Sequence, residues 1–516
     1  MKNNQIARVA GFHDVLPQRF NSHKAVEAAI TRQFERYGYA PIALPVVEYS
    51  ELFMRKSGED IVTRMYDFQH RGRRLCLRPE MTASVMRAYI EQMQDRLLPV
   101  RLYYSGPVFR SQQSSQALHA QFNQVGLELI GAHGPLADGE VIHTACSALD
   151  TVHLKNYHVI IGHVGILYAF LNSLAIDGQL RSFLLMNLNT LRERGRDYVA
   201  ERLNELHPAF GMTANKQSQE QKLGTPTRSN KLVSLLRQME ADEARTLISE
   251  ILDSLNIKLN DYRDPDQLVD RLLTKLRRGD QTAALHTALD FMSELVQMHG
   301  EPQEVIRECK NLMTSYGVTD TAVDYLVELL QYLSAFGLDQ DRIKLDVGMS
   351  LGLQYYTGLV FEIIYDELHQ VGQLCGGGRY DDLVALLGGS CSQPASGFSF
   401  NLESVCAALE VENRFPQRAK LIPQVLVVPA DRQNASVAVN LAETLRSLDW
   451  QVELDVHPRT AVESIAYARY NSVPFVVLAG RSDRSITLAD LRRDQELQLD
   501  RAGIIRALKS AFDESC

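Results

Sequence analysis

Apolar and polar residues alternate along several short stretches of this chain, and each such stretch predicts a strand. Val100-Arg-Leu-Tyr-Tyr-Ser-Gly-Pro-Val-Phe-Arg110 is one, and Phe122-Asn-Gln-Val-Gly-Leu-Glu-Leu-Ile-Gly131 is another, with polar positions at Gln124, Gly126 and Glu128. Ile343-Lys-Leu-Asp-Val-Gly and Leu359-Val-Phe-Glu-Ile-Ile-Tyr read as two strands folded over a polar bend that carries Tyr355 and Tyr356. Neighbouring side chains on a strand face opposite ways, so only one of these tyrosines is expected to enter a given pocket. Met65-Tyr-Asp-Phe, a turn at Arg71-Gly-Arg-Arg and Leu75-Cys-Leu-Arg-Pro form a hairpin whose exit opens a helix from Met81 to Gln92. Pro45 cannot donate to a ladder, so the extended segment Gly38 to Glu48 is an edge or interface strand.

Helical spacing takes over elsewhere. His23 to about Tyr37 is amphipathic, and 176–335 reads as nearly all helical, with a polar break from Asn215 to Ser229 and stretches such as Leu232-Val-Ser-Leu-Leu-Arg-Gln-Met and Ala322-Val-Asp-Tyr-Leu-Val-Glu-Leu-Leu. Antiparallel strands with hairpins and helices on one face make an α+β fold. After a polar linker, Glu410 to Lys420, the order becomes strand–helix–strand–helix–strand, which predicts a small α/β domain with a mainly parallel sheet. The expected divisions are a core in two parts, 1–175 and 336–412, a helical insertion at 176–335, and a C-terminal domain at 421–516. No G-x-G-x-x-G is present, so dinucleotide binding is not indicated.

Composition narrows the class. Hydrophobic residues make up 45% and charged residues 23% of 516, as in ordinary soluble proteins. No run approaches a membrane span and the start has no signal-peptide core, so no membrane partner is expected. Seven scattered cysteines form no C-x-x-C pair. That argues against a zinc site or a disulfide framework, and a cytoplasmic location fits. A net charge of −9 supplies no global pull toward phosphates.

The candidate chemistry falls on strands that should share one sheet. Glu80 and Thr82 flank Met81 at the hairpin exit, Arg110 ends a strand, Gln124 and Glu128 lie on one face of the next, and Tyr356 and Tyr380 come from later strands. Two carboxylates and a glutamine on an interior face are costly without a partner. A ligand with an amine and a polar ring would satisfy them, and Arg110 could hold a carboxylate or phosphate in a bidentate grip. Cys375-Gly-Gly-Gly-Arg-Tyr-Asp381 lets a backbone pass close to such a ligand. Taken singly, each feature is an ordinary edge residue or glycine turn; their convergence makes the site.

Gly11-Phe-His-Asp-Val-Leu-Pro, Leu77-Arg-Pro-Glu-Met-Thr, Gly106-Pro-Val-Phe-Arg, the Phe122–Gly131 stretch, Tyr355-Tyr-Thr-Gly and Gly376-Gly-Gly-Arg-Tyr-Asp occur in that order. Together they resemble histidyl-tRNA synthetase, a class II aminoacyl-tRNA synthetase, and its paralogues. The resemblance implies a class II antiparallel sheet with flanking helices and a C-terminal domain like the anticodon-binding domain. It further implies that Glu80 and Thr82 hold the α-amino group of histidine. Gln124 would be a further contact to the amino-acid backbone, and Glu128, Tyr356 and Tyr380 would read the imidazole. Arg110 would meet the carboxylate and the ATP α-phosphate, as the catalytic residue if the chain is active. The segment around Pro45 matches the dimer-forming motif 1, which implies a homodimer.

Departures from the family pattern cluster on the nucleotide side. Leu351-Gly-Leu-Gln354 stands where the family has Arg-Gly-Leu-Asp, Asn401-Leu-Glu-Ser404 where it has Gly-Leu-Glu-Arg, and Phe109-Arg-Ser-Gln112 with a neutral loop where it has Phe-Arg-x-Glu and a basic one. On this basis the expected function is a histidine-binding, non-aminoacylating paralogue: the regulatory subunit of ATP phosphoribosyltransferase in histidine biosynthesis. Its partners would be free histidine and a short-form catalytic subunit, with no required cofactor and no metal. That regulatory family usually lacks a full anticodon-binding-like domain. The alternative is an active histidine–tRNA ligase using ATP, magnesium and tRNA. A further alternative is a non-enzymatic RNA-binding or scaffold protein.

Overall fold

In the computed structural model the alternating stretches pair into three sheets. The structure describes residues 6–55, 59–111, 120–174, 176–206, 246–247, 250, 282–349, 355–365, 372–414, 424–430, 435–457, 459–480 and 486–513. The polar break at 215–229, the stretch beginning at Leu232, the neutral loop at 112–119, Leu351 and Gln354 lie outside the described residues. Two compact units divide at Pro416 and Gln417.

The first unit holds strands β1 (Ala40–Pro41), β2 (Val47–Tyr49), β3 (Asp67–His70), β4 (Arg73–Leu77), β5 (Val100–Phe109), β6 (Gln121–Ile130), β7 (Tyr157–His163), β8 (His299–Gly300), β9 (Ile343–Asp346), β10 (Leu359–Tyr365), β11 (Gln373–Arg379) and β12 (Ala395–Asn401). Nine of them make one sheet in the order β1-β5-β6-β12-β11-β10-β7-β9-β8, and β2-β4-β3 form a small second sheet. The large sheet is antiparallel except for the β1–β5 and β7–β9 pairs, so the α+β class holds. The hairpin between β3 and β4 closes on Arg71 (φ 49°) and Gly72 (φ 75°). Positive φ at both central residues is what a two-residue turn requires to match strand twist.

Strand periodicity gives the large sheet two unlike faces. On β6, Val125, Leu127 and Leu129 join the main apolar cluster, which also takes residues from helices Pro17–Arg36, Pro135–Thr151, Val164–Ser173 and Leu402–Val411. The intervening residues Gln124, Gly126 and Glu128 turn to the opposite face. There a smaller cluster gathers Met81, Val85, Tyr104, Tyr356, Val360 and Tyr380 around helix Thr82–Gln92. The described helices of 176–335 bury Leu180, Phe183, Leu188, Leu191, Phe291 and Leu326 in the main cluster with the sheet.

One expectation fails here. β9 and β10 do not form a hairpin, because β7 lies between them and bonds to both, parallel to β9 and antiparallel to β10. The chain leaving β9, Val347 to Met349, therefore begins a crossing past β7. Gly162 makes room for the crossing, since a Cβ there would lie 2.5 Å from the Asp346 carbonyl oxygen.

In the second unit, β13 (Val425–Pro429), β14 (Val452–Leu454) and β15 (Phe475–Ala479) are parallel. β16 (Ile486–Asp490) and β17 (Gln495–Leu499) continue the sheet antiparallel, in the order β14-β13-β15-β16-β17. The mainly parallel expectation missed this hairpin, whose outer strand is mostly exposed. Helix Ala461–Tyr470 starts with a capping box between Thr460 and Glu463.

Candidate functional site

Six of the residues singled out from sequence line one cavity on the polar face of the large sheet: Glu80, Thr82, Arg110, Gln124, Tyr356 and Tyr380. Glu128, the seventh, is fully buried directly behind Thr82 and Tyr380. Its carboxylate accepts from Thr82 Oγ1 at 2.7 Å, from Tyr104 OH at 3.0 Å and from Tyr380 OH. Glu80 is buried and accepts from the Ala83 backbone N–H at 3.1 and 3.2 Å. Gln124 donates from Nε2 to Ser399 Oγ at 3.0 Å, and its buried Oε1 has no hydrogen-bond partner among the described residues.

Glycines shape this face by close approach. A Cβ on Gly397 would collide with Glu128 Oε2 and Tyr380 OH, and one on Gly126 would lie 2.7 Å from Tyr104 OH. Only glycine at these two positions lets neighbouring strands bring an acid and two tyrosines into register.

The two tyrosines at 355 and 356 behave differently from the strand rule. Both line the cavity. Residues 355–358 are turn and coil, and β10 begins only at Leu359, so alternation does not apply to them. Tyr355 packs edge-on against Tyr380 with centroids 5.6 Å apart and tilts against Tyr356 at 5.0 Å. Sequence reasoning also missed Tyr104, Ser399, Arg64 and Phe122. Tyr104 had a findable signal: on the Val100–Phe109 strand it shares the parity of Leu102 and Val100, which face the same cluster.

The electrostatics follow from burial. Loss of water pushes the Glu128 carboxyl up to about 8, against the opposing pull of the Tyr380, Thr82 and Tyr104 hydroxyls. Burial likewise pushes Glu80 up to about 7, opposed by the Ala83 amide and the charge of Arg110. Burial and the nearby acids hold the Tyr356 and Tyr380 hydroxyls well above their ordinary value, so both stay protonated. Arg110 donates from Nε to the Pro79 carbonyl at 2.9 Å, and its guanidinium lies 5.3 Å from the Phe122 ring centroid. The arrangement can take up a cationic amine beside Glu80 and Gln124, a polar ring beside Glu128 and the tyrosines, and an anion at Arg110. Among the described residues no group of three or more His, Cys, Asp or Glu side chains could hold a metal ion, and no helix is long and apolar enough to cross a membrane.

A family model described as histidyl-tRNA synthetase matches residues 11–260 and 245–405, and the chain belongs to that family. It is 27% identical over 503 residues to the histidine–tRNA ligase of Thermococcus kodakarensis, covering 96% of this chain and 97% of that one. The ligase of Methanocaldococcus jannaschii is 27% identical over 485 residues, covering 93% and 94%. Among solved structures, apo S. aureus histidyl-tRNA synthetase aligns with a TM-score of 0.62 at 21% identity, covering 98% of this chain and all of that one. An ATP phosphoribosyltransferase regulatory subunit/histidyl-tRNA synthetase from Bacillus halodurans aligns at 0.57 and 23%, covering 89% and 96%. At these identities the structures speak for the class II fold alone.

These relatives overturn the regulatory-subunit expectation. Curated relatives matched along nearly their whole length, at about 27% identity, are named histidine–tRNA ligases, whereas the likeness to the regulatory subunit/synthetase structure, at 23%, shows the fold alone. The error came from weighting a few substituted positions over the whole chain. Leu351, Gln354 and the neutral loop lie outside the described residues. Ser404 stands in the first turn of helix Leu402–Val411, where its N–H caps onto Asn401 Oδ1 at 3.1 Å.

Proposed function

We propose that this histidyl-tRNA synthetase-family chain is an ATP-dependent histidine–tRNA ligase. The observation that carries the reading is a pair of buried acids, Glu80 and Glu128, with no cation among the described residues hydrogen-bonded to either, beside a Gln124 Oε1 that has no partner among them. Free histidine supplies what this constellation lacks. Its ammonium group would sit between Glu80, Thr82 and Gln124. Its imidazole would meet Glu128, Tyr356 and Tyr380, with an N–H toward the carboxylate. Arg110 would hold the histidine carboxylate against the α-phosphate of ATP. A carboxylate oxygen then attacks that phosphorus and pyrophosphate leaves; a terminal ribose hydroxyl of tRNA next attacks the histidyl carbonyl of the adenylate, and AMP leaves.

ATP enters this scheme as a substrate. Magnesium would enter as an ion carried on the phosphates of ATP. With Leu351 and Ser404 in place of arginines, the developing charge falls mainly to Arg110. Arg64, which lines the same cavity, is the second basic group in reach of it. The C-terminal unit would contact the tRNA anticodon. A homodimer would form through the small sheet, whose Val47, Tyr49 and Phe68 are exposed large apolar side chains next to the Pro45 segment.

Histidine-dependent exchange between ATP and labelled pyrophosphate tests the proposal. Exchange with the wild-type chain is expected. Arg110→Ala should lower it by on the order of 10²–10³, the usual cost of losing one charge-stabilising donor. Histidine binding without any exchange would refute ligase activity.

A further inference from the structure

The helices of 176–335 contribute no residue to the cavity among the described residues, yet one of them grips the crossing that leads to it. Arg192, on helix Leu188–Arg194, makes a two-pronged ion pair with Asp346 at the end of β9: Nη1 to Oδ2 at 2.8 Å and Nη2 to Oδ1 at 2.6 Å. The third arm, Nε, donates to the Val296 carbonyl at 3.1 Å, just past helix Thr282–Leu295. Asp346 also accepts from the Gly348 N–H at 3.1 Å, which bends the chain out of β9. Gly348 is pressed against this grip, since a Cβ there would lie 3.0 Å from Arg192 Nη2 and 2.6 Å from the Val296 Cα. A second strap, Val347 N–H to the Met298 carbonyl, holds the same corner. The next residue, Met349, belongs to the buried cluster that contains Tyr355, Tyr356 and Tyr380.

A planar guanidinium with all three nitrogens engaged fixes both position and direction, which a lysine at that point could not do. Asp346 is mostly buried, with 14% of its side chain exposed, so its loss of Arg192 would leave a half-solvated acid at the corner. We propose that Arg192 is a positioning residue for the amino-acid pocket: through Asp346 it sets where the chain leaves β9, and so the placement of Met349 and of the cluster it shares with the tyrosines. The helical insertion thereby governs amino-acid recognition from outside the cavity. This inference rests on the reading of the cavity as a histidine site.

The test is calorimetric titration of histidine into the full chain and into Arg192→Gln, Arg192→Lys and Asp346→Asn. The single variants Arg192→Gln and Asp346→Asn should each weaken binding roughly tenfold, with Arg192→Lys in between. Arg192→Gln/Asp346→Asn should be no weaker than either single change, because both remove the same link. In the exchange assay the KM for histidine should rise while the KM for ATP holds. If Arg192→Gln does not fold, Asp346→Asn and Arg192→Lys carry the same comparison. Wild-type histidine affinity in the folded variants, or additive losses in the double variant, would overturn the proposal. Absence of binding by the wild-type chain would instead defeat the histidine reading of the cavity.

Discussion

Arg379 and Tyr380 are consecutive residues that face opposite sides of one sheet, and each meets a fully buried acid. On the helix side, Arg379 makes a two-pronged pair with Asp138 at 3.0 and 2.5 Å and reaches Asp381 at 2.8 Å, while Tyr325 OH adds a third bond to Asp138. On the cavity side, Tyr380 meets Glu128, which has only hydroxyl donors. Burial alone would lower the Arg379 pKa, but Asp138 and Asp381 hold it above its ordinary value, so that side stays ionised. Burial raises Glu128 to about 8, with the Tyr380, Thr82 and Tyr104 hydroxyls opposing it and Glu80 adding to it. Two consecutive residues thus meet two unlike acids: Asp138 on helix Pro135–Thr151 has its counter-charge built in, and Glu128 on β6 is met by hydroxyls. Under the proposed function, the first acid serves the fold and the second receives the ligand's cation.

Substitutions on the two sides should separate along that line. Arg379→Ala strands Asp138 and should cost about 3–5 kcal/mol of stability in urea unfolding. Glu128→Gln keeps its hydrogen-bonding shape and should leave stability within about 1 kcal/mol of wild type. Equal losses from the two changes would erase the distinction.

Histidine binding should invert the ranking. Glu128→Ala removes the acceptor proposed for the imidazole and should weaken binding by about 2–5 kcal/mol in calorimetry, close to abolition at ordinary concentrations. Unchanged affinity would place the ligand elsewhere.

The cavity acids also set a pH dependence. In the folded chain Glu128 keeps its proton up to about 8 and Glu80 up to about 7. An unfolded glutamate loses its proton near 4.3. Between those values the unfolded state binds fewer protons, so ligand-free stability should fall as pH rises from about 5 through 8. Thermal melts across that range read the slope, and Glu128→Gln should reduce it. Saturating histidine should reduce it too, since a cation beside these carboxyls favours their ionised forms. For the same reason, titration at pH 7 in buffers of different ionisation enthalpy should show protons released on binding; uptake would reverse the assignment.

The smallest expected effect is at Tyr104→Phe. It removes one of three hydroxyls from Glu128 and should shift histidine affinity by about 1 kcal/mol.

Much of this arrangement is legible along the chain. The alternation of Gln124, Gly126 and Glu128 with Val125, Leu127 and Leu129 announced one core face and one cavity face, because side-chain direction on a strand depends only on parity. The same parity rule misled at Tyr355 and Tyr356, where the backbone is a turn and both rings enter the cavity. Adjacency misled at β9 and β10, which are neighbours in sequence but are separated by β7 in the sheet.

What the sequence determined by itself was local: which residues alternate, where glycine clears a path, and which acids and tyrosines must share a face. Those follow from backbone geometry within a few residues. Only the tertiary structure decided which cation each acid has. Asp138 and Arg379 are 241 positions apart, as are no two residues any periodicity links, and their pairing depends on helix Pro135–Thr151 packing on the far side of β11 and β12. Glu128 has no such cation among the described residues, because helix Thr82–Gln92, β5 and the Tyr380 corner bring it hydroxyls instead. Charge pairing is set by distance through space, and distance through space is what folding supplies.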